Sequence, residues 1–160
     1  LSFDPYLDKK IDGKWREYPP FSFIDHPHLD TYRTFEEICE NAGFNVERHW
    51  VTTQDGYINL VFRVNDGKPL VNRPAALLVH GLIDSADVWI LNERDKPAIH
   101  FADAGYDVWV ANTRGNKYSR FHTHLDADYD MEYWDNAYSL EIARNDIPAF
   151  VEYVKLHSNV

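Results

Sequence analysis

Residues 75–89 read AALLVHGLIDSADVW. The stretch AALLVH, residues 75–80, is a continuous apolar run of strand length. Such a run fits a β-strand buried on both faces, as in a parallel sheet. It stops at His80-Gly81, and a loop carrying one serine, Ser85, follows. Two chemistries compete for this loop. Either Ser85 is a nucleophile, or the loop presents backbone N–H donors to a developing oxyanion.

Working outward, KPAIHFADAG (96–105) predicts a helix, with Pro97 tolerated in its first turn and Gly105 suited to its C-terminal stop. YDVWVAN (106–112) predicts the next strand. A strand, helix, strand order points to a parallel sheet with a right-handed crossover. Upstream, NVERHWVTT and YINLVFRV are β-rich runs joined by Gln54-Asp55-Gly56, a hairpin in which Asp55 and Gly56 are expected to take the positive φ angles. TFEEICENAGF (34–44) predicts a short helix capped by Thr34 and Glu37. Downstream, RGNKYSRFHTHLDADYD reads as a polar loop. AYSLEIARNDIPAFVEYVKLH (137–157) has helical spacing at Leu140, Ala143, Ile147, Phe150, Val151 and Val154, with a kink expected at Pro148. The fold class is therefore α/β. Residues 1–33 form an extended arm rich in proline and aromatics, and residues 34–160 form the folded unit.

The 160 residues are 44% hydrophobic and 15% aromatic, enough apolar material for a core. The formal net charge of -10 leaves no basic footprint for nucleic acid and disfavours docking on anionic lipid. No apolar stretch approaches a membrane span. The single cysteine, Cys39, permits no intrachain disulfide and reads as a small buried hydrophobe. His26 and His28 lack a nearby third metal ligand and read as exposed turn residues. No metal or organic cofactor is implied. The first residue, Leu1, suggests a processed N-terminus.

Four stretches resemble the acid lipase family, the gastric and lysosomal lipases of the α/β-hydrolase fold. VTTQDGYINLVFRV is similar to the family's opening hairpin, T-x-D-G-Y, and LLVHGLIDSADVWI to its H-G-L loop followed by S-x-x-W. FADAGYDVWVANTRGN resembles the distinctive run L-A-D-A-G-Y-D-V-W-L-G-N-S-R-G-N, and EYWDNAYSLEIARNDIPAFVEYV resembles F-W-x-F-S-x-x-E-M-x-x-Y-D-L-P-A. The match covers residues 44–155 in the family's order. Ala111 stands where the family has glycine, Thr113 where it has serine, and the last helix carries one extra residue after Trp134. The resemblance implies a partial α/β-hydrolase fold, without the half that carries the nucleophile elbow.

Ester hydrolysis on this fold needs a serine in G-x-S-x-G, a histidine base, a carboxylate to orient it, and N–H donors aimed at the oxyanion. The seven glycines and six serines of this chain form no G-x-S-x-G. The resemblance gives Ser85 a structural role and implies that the Leu82 N–H is one oxyanion donor. His80 and Gly81 shape that loop, His80 as support rather than base. His100, His122, His124 and His157 read as surface or packing residues, Trp89 and Trp109 as core, and Asp103, Asp107 and Asp146 as local partners, one of them for Arg114. The nucleophile, acid and base are expected on a second polypeptide completing the sheet beside residues 75–80. A structural alternative makes the chain an inactive, lipase-derived subunit of a larger assembly. The implied substrate is a lipid ester. The resemblance implies a lysosomal or secreted setting, while the absence of Asn-x-Ser/Thr sequons and the lone cysteine leave an organellar one, such as the mitochondrion, open.

Overall fold

The hairpin forms where alternation and turn chemistry agree. β3 (Asn45–Thr52) pairs antiparallel with β4 (Tyr57–Asn65), Asn45 opposite Asn65 and Thr52 opposite Ile58. A computed structural model describes residues 10–11, 14–15, 30, 33–91, 96–135 and 138–158. Most of the 1–33 arm, with His26 and His28, lies outside them. Its described parts include β1 (Lys10–Ile11) and β2 (Lys14–Trp15), paired with each other.

The hairpin turn differs from expectation. Only Gly56 has positive φ, at 96°, and Asp55 does not. The Gly56 N–H donates to the Thr53 carbonyl at 3.1 Å, and the Thr53 N–H to the Tyr57 carbonyl at 2.8 Å. The Thr53–Tyr57 pair thus closes a three-residue loop, 54–56, ending in one left-handed glycine, so a single positive φ suffices. A side chain on Gly56 would also meet Thr123 Oγ1 at 2.6 Å.

β5 (Ala75–Val79) and β6 (Asp107–Ala111) run parallel, Ala75 opposite Asp107, joined through α2 (Pro97–Asp103). The sheet order is β3-β4-β6-β5, with the short β7 (Phe121–His122) beside the start of β4. β7 was not foreseen, because two residues inside a polar loop leave no periodicity to read. Side chains on alternate faces build two cores. Leu60, Phe62, Val64, Val108 and Val110 pack toward α1 (Phe35–Asn41) and α2. Val61, Trp109 and Ala111 pack against Phe150 and Val154 of α4 (Ile147–His157). The sheet is therefore covered on both faces, as in α/β-hydrolases. The predicted capping box of α1 is present, the Glu37 N–H donating to Thr34 Oγ1 at 3.2 Å and the Thr34 N–H to Glu37 Oε2 at 2.8 Å.

Two expectations need correction. β5 is not buried on both faces: only Leu78 is buried, because β6 alone hydrogen-bonds to β5 among the described residues. The last helix does not simply kink at Pro148. α3 (Tyr138–Glu141) passes into a π-helical turn, Ile142–Asp146, and Pro148 sits in the first turn of α4, where its missing N–H costs little. A π turn holds one residue more than an α turn. It also shifts the helical phase. Tyr138 and Ile142 share the inner face with Ile147, Phe150 and Val154, while Leu140 and Ala143 turn outward.

Candidate functional site

β5 and β6 both end at one rim of the sheet, the edge at which open α/β sheets bind ligands. His80 follows β5 directly and is buried. Its Nδ1 donates to the Gly81 carbonyl at 2.7 Å. Its Nε2 accepts from the Thr113 N–H at 3.1 Å and from Asn116 Nδ2 at 3.0 Å. The ring is therefore the Nδ1–H tautomer, and its one lone pair is taken. It fixes the loop and cannot receive a serine proton in this arrangement.

The chain then turns out of the sheet. The Asp84 N–H donates to the Gly81 carbonyl at 3.3 Å. Leu82 is 65% exposed and Ile83 98% exposed, and no acceptor meets the Leu82 N–H among the described residues. A side chain at Gly81 would enter open space. Ser85 is buried before a short 3₁₀ turn, Ala86–Trp89, and bonds to no histidine among the described residues. Beside the loop lies a cleft of about 440 Å³, lined among others by Leu82, Ile83, Asn116, Lys117, Trp134 and Tyr138.

The residues just after β6 are buried and lead to the opposite lining of the cleft, Gly115, Asn116 and Lys117. Asn112, Thr113 and Arg114 are buried polar side chains. Arg114 donates to both carboxylates around it. Nε and Nη2 reach Asp146 Oδ1 at 2.9 and 2.7 Å, and Nη1 and Nη2 reach Asp55 at 2.7 and 3.0 Å. Its backbone N–H donates to Asp146 Oδ2 at 3.0 Å, and its guanidinium lies 3.8 Å from the Tyr57 ring centre. Burial works against the Arg114 charge, but the hydrogen bonds to Asp55 and Asp146 outweigh it and push its pKa up. Burial alone would raise the Asp55 carboxyl. Its hydrogen bonds from Arg114 and Thr53 prevail and hold it below the usual carboxylate range. The Asp146 partner comes from the π turn. Thr113 Oγ1 lies 3.1 Å from Tyr138 Oη, tying α3 to the same corner.

Sequence reasoning placed His80, Gly81 and Leu82 in one loop; of the three, Leu82 lines the cleft, and His80 is buried at the end of β5. It paired Arg114 with an aspartate, which is Asp146. Asp107 instead pairs with Arg63, at 2.8 Å to each carboxylate oxygen, at the far end of β6. Trp109 is core, Trp89 half-buried, and Cys39 fully buried, its thiol pushed up to about 12 by burial and then by Glu36. Asn112, Asn116, Trp134 and Tyr138 were missed. Asn112 and Asn116 had a signal: polar residues spaced i, i+4 at the end of an apolar strand. The acidic run 126–135 is mostly exposed, yet Ala127 and Tyr133 anchor it to Tyr57. No group of three His, Cys, Asp or Glu that could hold a metal exists among the described residues. No helix among them is long and apolar enough to cross a membrane.

A family model described as a partial alpha/beta-hydrolase lipase region matches residues 35–93. Lipase member M of Homo sapiens is 39% identical over 130 residues, which is 78% of this chain and 30% of that protein. Gastric triacylglycerol lipase of Mus musculus is 41% identical over 117 residues, 70% of this chain and 29% of that protein. Among solved structures, the esterase Pf2001 of Pyrococcus furiosus is similar with a TM-score of 0.46 and 16% identity, over 74% of this chain and 38% of that chain. The chain thus spans about a third of the length of the curated relatives it matches. With the hairpin, the β5-α2-β6 crossover and the H-G-L loop in the family's order, the chain belongs to the acid lipase family of α/β-hydrolases, as a counterpart of its N-terminal part.

Proposed function

We propose that this chain supplies the oxyanion-hole half of a lipid ester hydrolase. The observation that carries the reading is the unpaired Leu82 N–H at the rim of a cleft, in a loop fixed from behind by His80. A serine from polypeptide outside residues 1–160 attacks the ester carbonyl. Its proton passes to a histidine, also from outside these residues, and the carbonyl oxygen gains negative charge. The Leu82 N–H donates to that oxygen. On collapse the histidine returns its proton to the departing alkoxide, which leaves as the alcohol, and the acyl-serine is then attacked by water through a second oxyanion held in the same place, releasing the acid and the free serine. The free edge of β5 is the place where the strand leading to that serine pairs. Leu82, Ile83 and Trp134 give the cleft an apolar wall suited to an acyl or alcohol chain.

Replacing the Leu82 peptide N–H by an ester oxygen in the full enzyme removes the donor and keeps the side chain. Hydrolysis of p-nitrophenyl esters should then fall by roughly 10²–10³ in kcat, while Leu82→Ala, which keeps the N–H, should fall far less. Equal effects of the two changes would contradict the oxyanion role.

A further inference from the structure

The loop that carries Leu82 is held at both ends by two asparagines. Asn116 Nδ2 donates one hydrogen to His80 Nε2 at 3.0 Å and the other to Asn112 Oδ1 at 3.0 Å. Asn112 Oδ1 also accepts from the Ala86 N–H at 2.9 Å, and Asn112 Nδ2 donates to the Leu60 carbonyl of β4 at 3.1 Å. One amide pair thus grips His80 at the start of the loop and Ala86 at its end, and anchors both to the central sheet. Asn116 is itself fixed, because its Oδ1 accepts from the Tyr118 N–H at 2.9 Å and the Ser119 N–H at 3.1 Å. Only residues 81–85 lie between the two grips.

We propose that Asn116, acting through His80 and Asn112, is a positioning residue that sets where the Leu82 N–H points, and so tunes transition-state stabilisation. The inference rests on the ester hydrolase reading above. It explains why a fully buried amide, Asn112, and a partly buried one, Asn116, sit where a purely structural corner could be filled with apolar side chains. Both Asn116 amide hydrogens are spent on His80 and Asn112, and a side chain lacking these donors would release His80 and leave Asn112 less firmly held.

Asn116→Asp separates this role from folding. The carboxylate still accepts from the Tyr118 and Ser119 N–H groups, so the local turn survives, but it can donate to neither His80 nor Asn112. In the full enzyme, N116D should lower kcat roughly 10- to 100-fold with KM within about twofold. The inhibition constant of an alkyl boronic acid, which mimics the tetrahedral oxyanion, should rise by a similar factor. If N116D folds poorly, His80→Asn cuts the same link from the other side and should show the same split between kcat and KM. An active wild-type enzyme with unchanged kcat in the folded variant, or a loss confined to KM, overturns the positioning role alone. A full wild-type protein that hydrolyses no ester overturns the hydrolase reading and this inference with it.

Discussion

At the scale of single residues, the buried charges decide most. Arg114 satisfies two carboxylates and the face of Tyr57 at once, and its side chain is only 2% exposed. Arg114→Ala strands Asp146 with an uncompensated charge and should cost about 3–5 kcal/mol in urea unfolding. Arg114→Lys cannot reproduce the fork and should recover only part of this. Asp107 makes a second such pair with Arg63 and also accepts from Ser158 Oγ at 2.8 Å. Burial would raise its carboxyl, but the bonds from Arg63 and Ser158 prevail and depress it. A depressed folded value means that the contribution is present above the unfolded value, ~3.9, and is lost as pH falls through the folded one. The stability that Asp107 contributes should therefore be lost below about pH 4, and Asp107→Asn should lose that part of the acid decline along with some stability at neutral pH. Thermal unfolding across pH 2–7 measures both. The pairing of Arg114 was partly legible because an arginine at a strand end near several aspartates has few other partners. The Asn112–Asn116 grip was not legible, because it depends on a turn that brings both amides under a loop 30 residues upstream.

At the scale of elements, local and tertiary signals agree for α1, the hairpin and the crossover, and disagree for the last helix. Thr34→Ala removes the capping box and should cost about 1 kcal/mol, measured by chemical denaturation. Phe150→Ala empties the centre of the α4 core and should cost about 3–5 kcal/mol. The single 3.6-residue period assumed for residues 137–157 failed because the π turn inserts a residue. The gain is the placement of Asp146 on Arg114 and Tyr138 on Thr113, contacts that no periodicity reveals. Deleting Ala143 should restore α-helical spacing and keep α4 docked, yet rotate Tyr138 off the cleft. It should lower kcat/KM more than it lowers the melting temperature, and the reverse ranking would show that the π turn serves packing alone.

At the scale of the whole molecule, one edge of the sheet organises the account. β3 and α4 cover the far side, while the outer edge of β5 has no strand paired to it among the described residues. Residues 1–160 expressed alone should self-associate with rising concentration in analytical ultracentrifugation, because that edge is a template for pairing. The apolar run 75–80 revealed the strand, and the H-G that follows revealed the loop. The strand's exposure was not visible in the run itself, since burial depends on neighbours. The central claim is that the loop at His80–Leu82 serves a serine carried outside these residues. Labelling the natively purified enzyme with a fluorophosphonate, then sequencing the modified peptide by mass spectrometry, tests it most directly. The predicted result is one labelled serine, in a G-x-S-x-G peptide absent from residues 1–160, with ester hydrolysis abolished in proportion. Labelling at Ser85, or an unlabelled protein with no ester hydrolysis, would contradict the account.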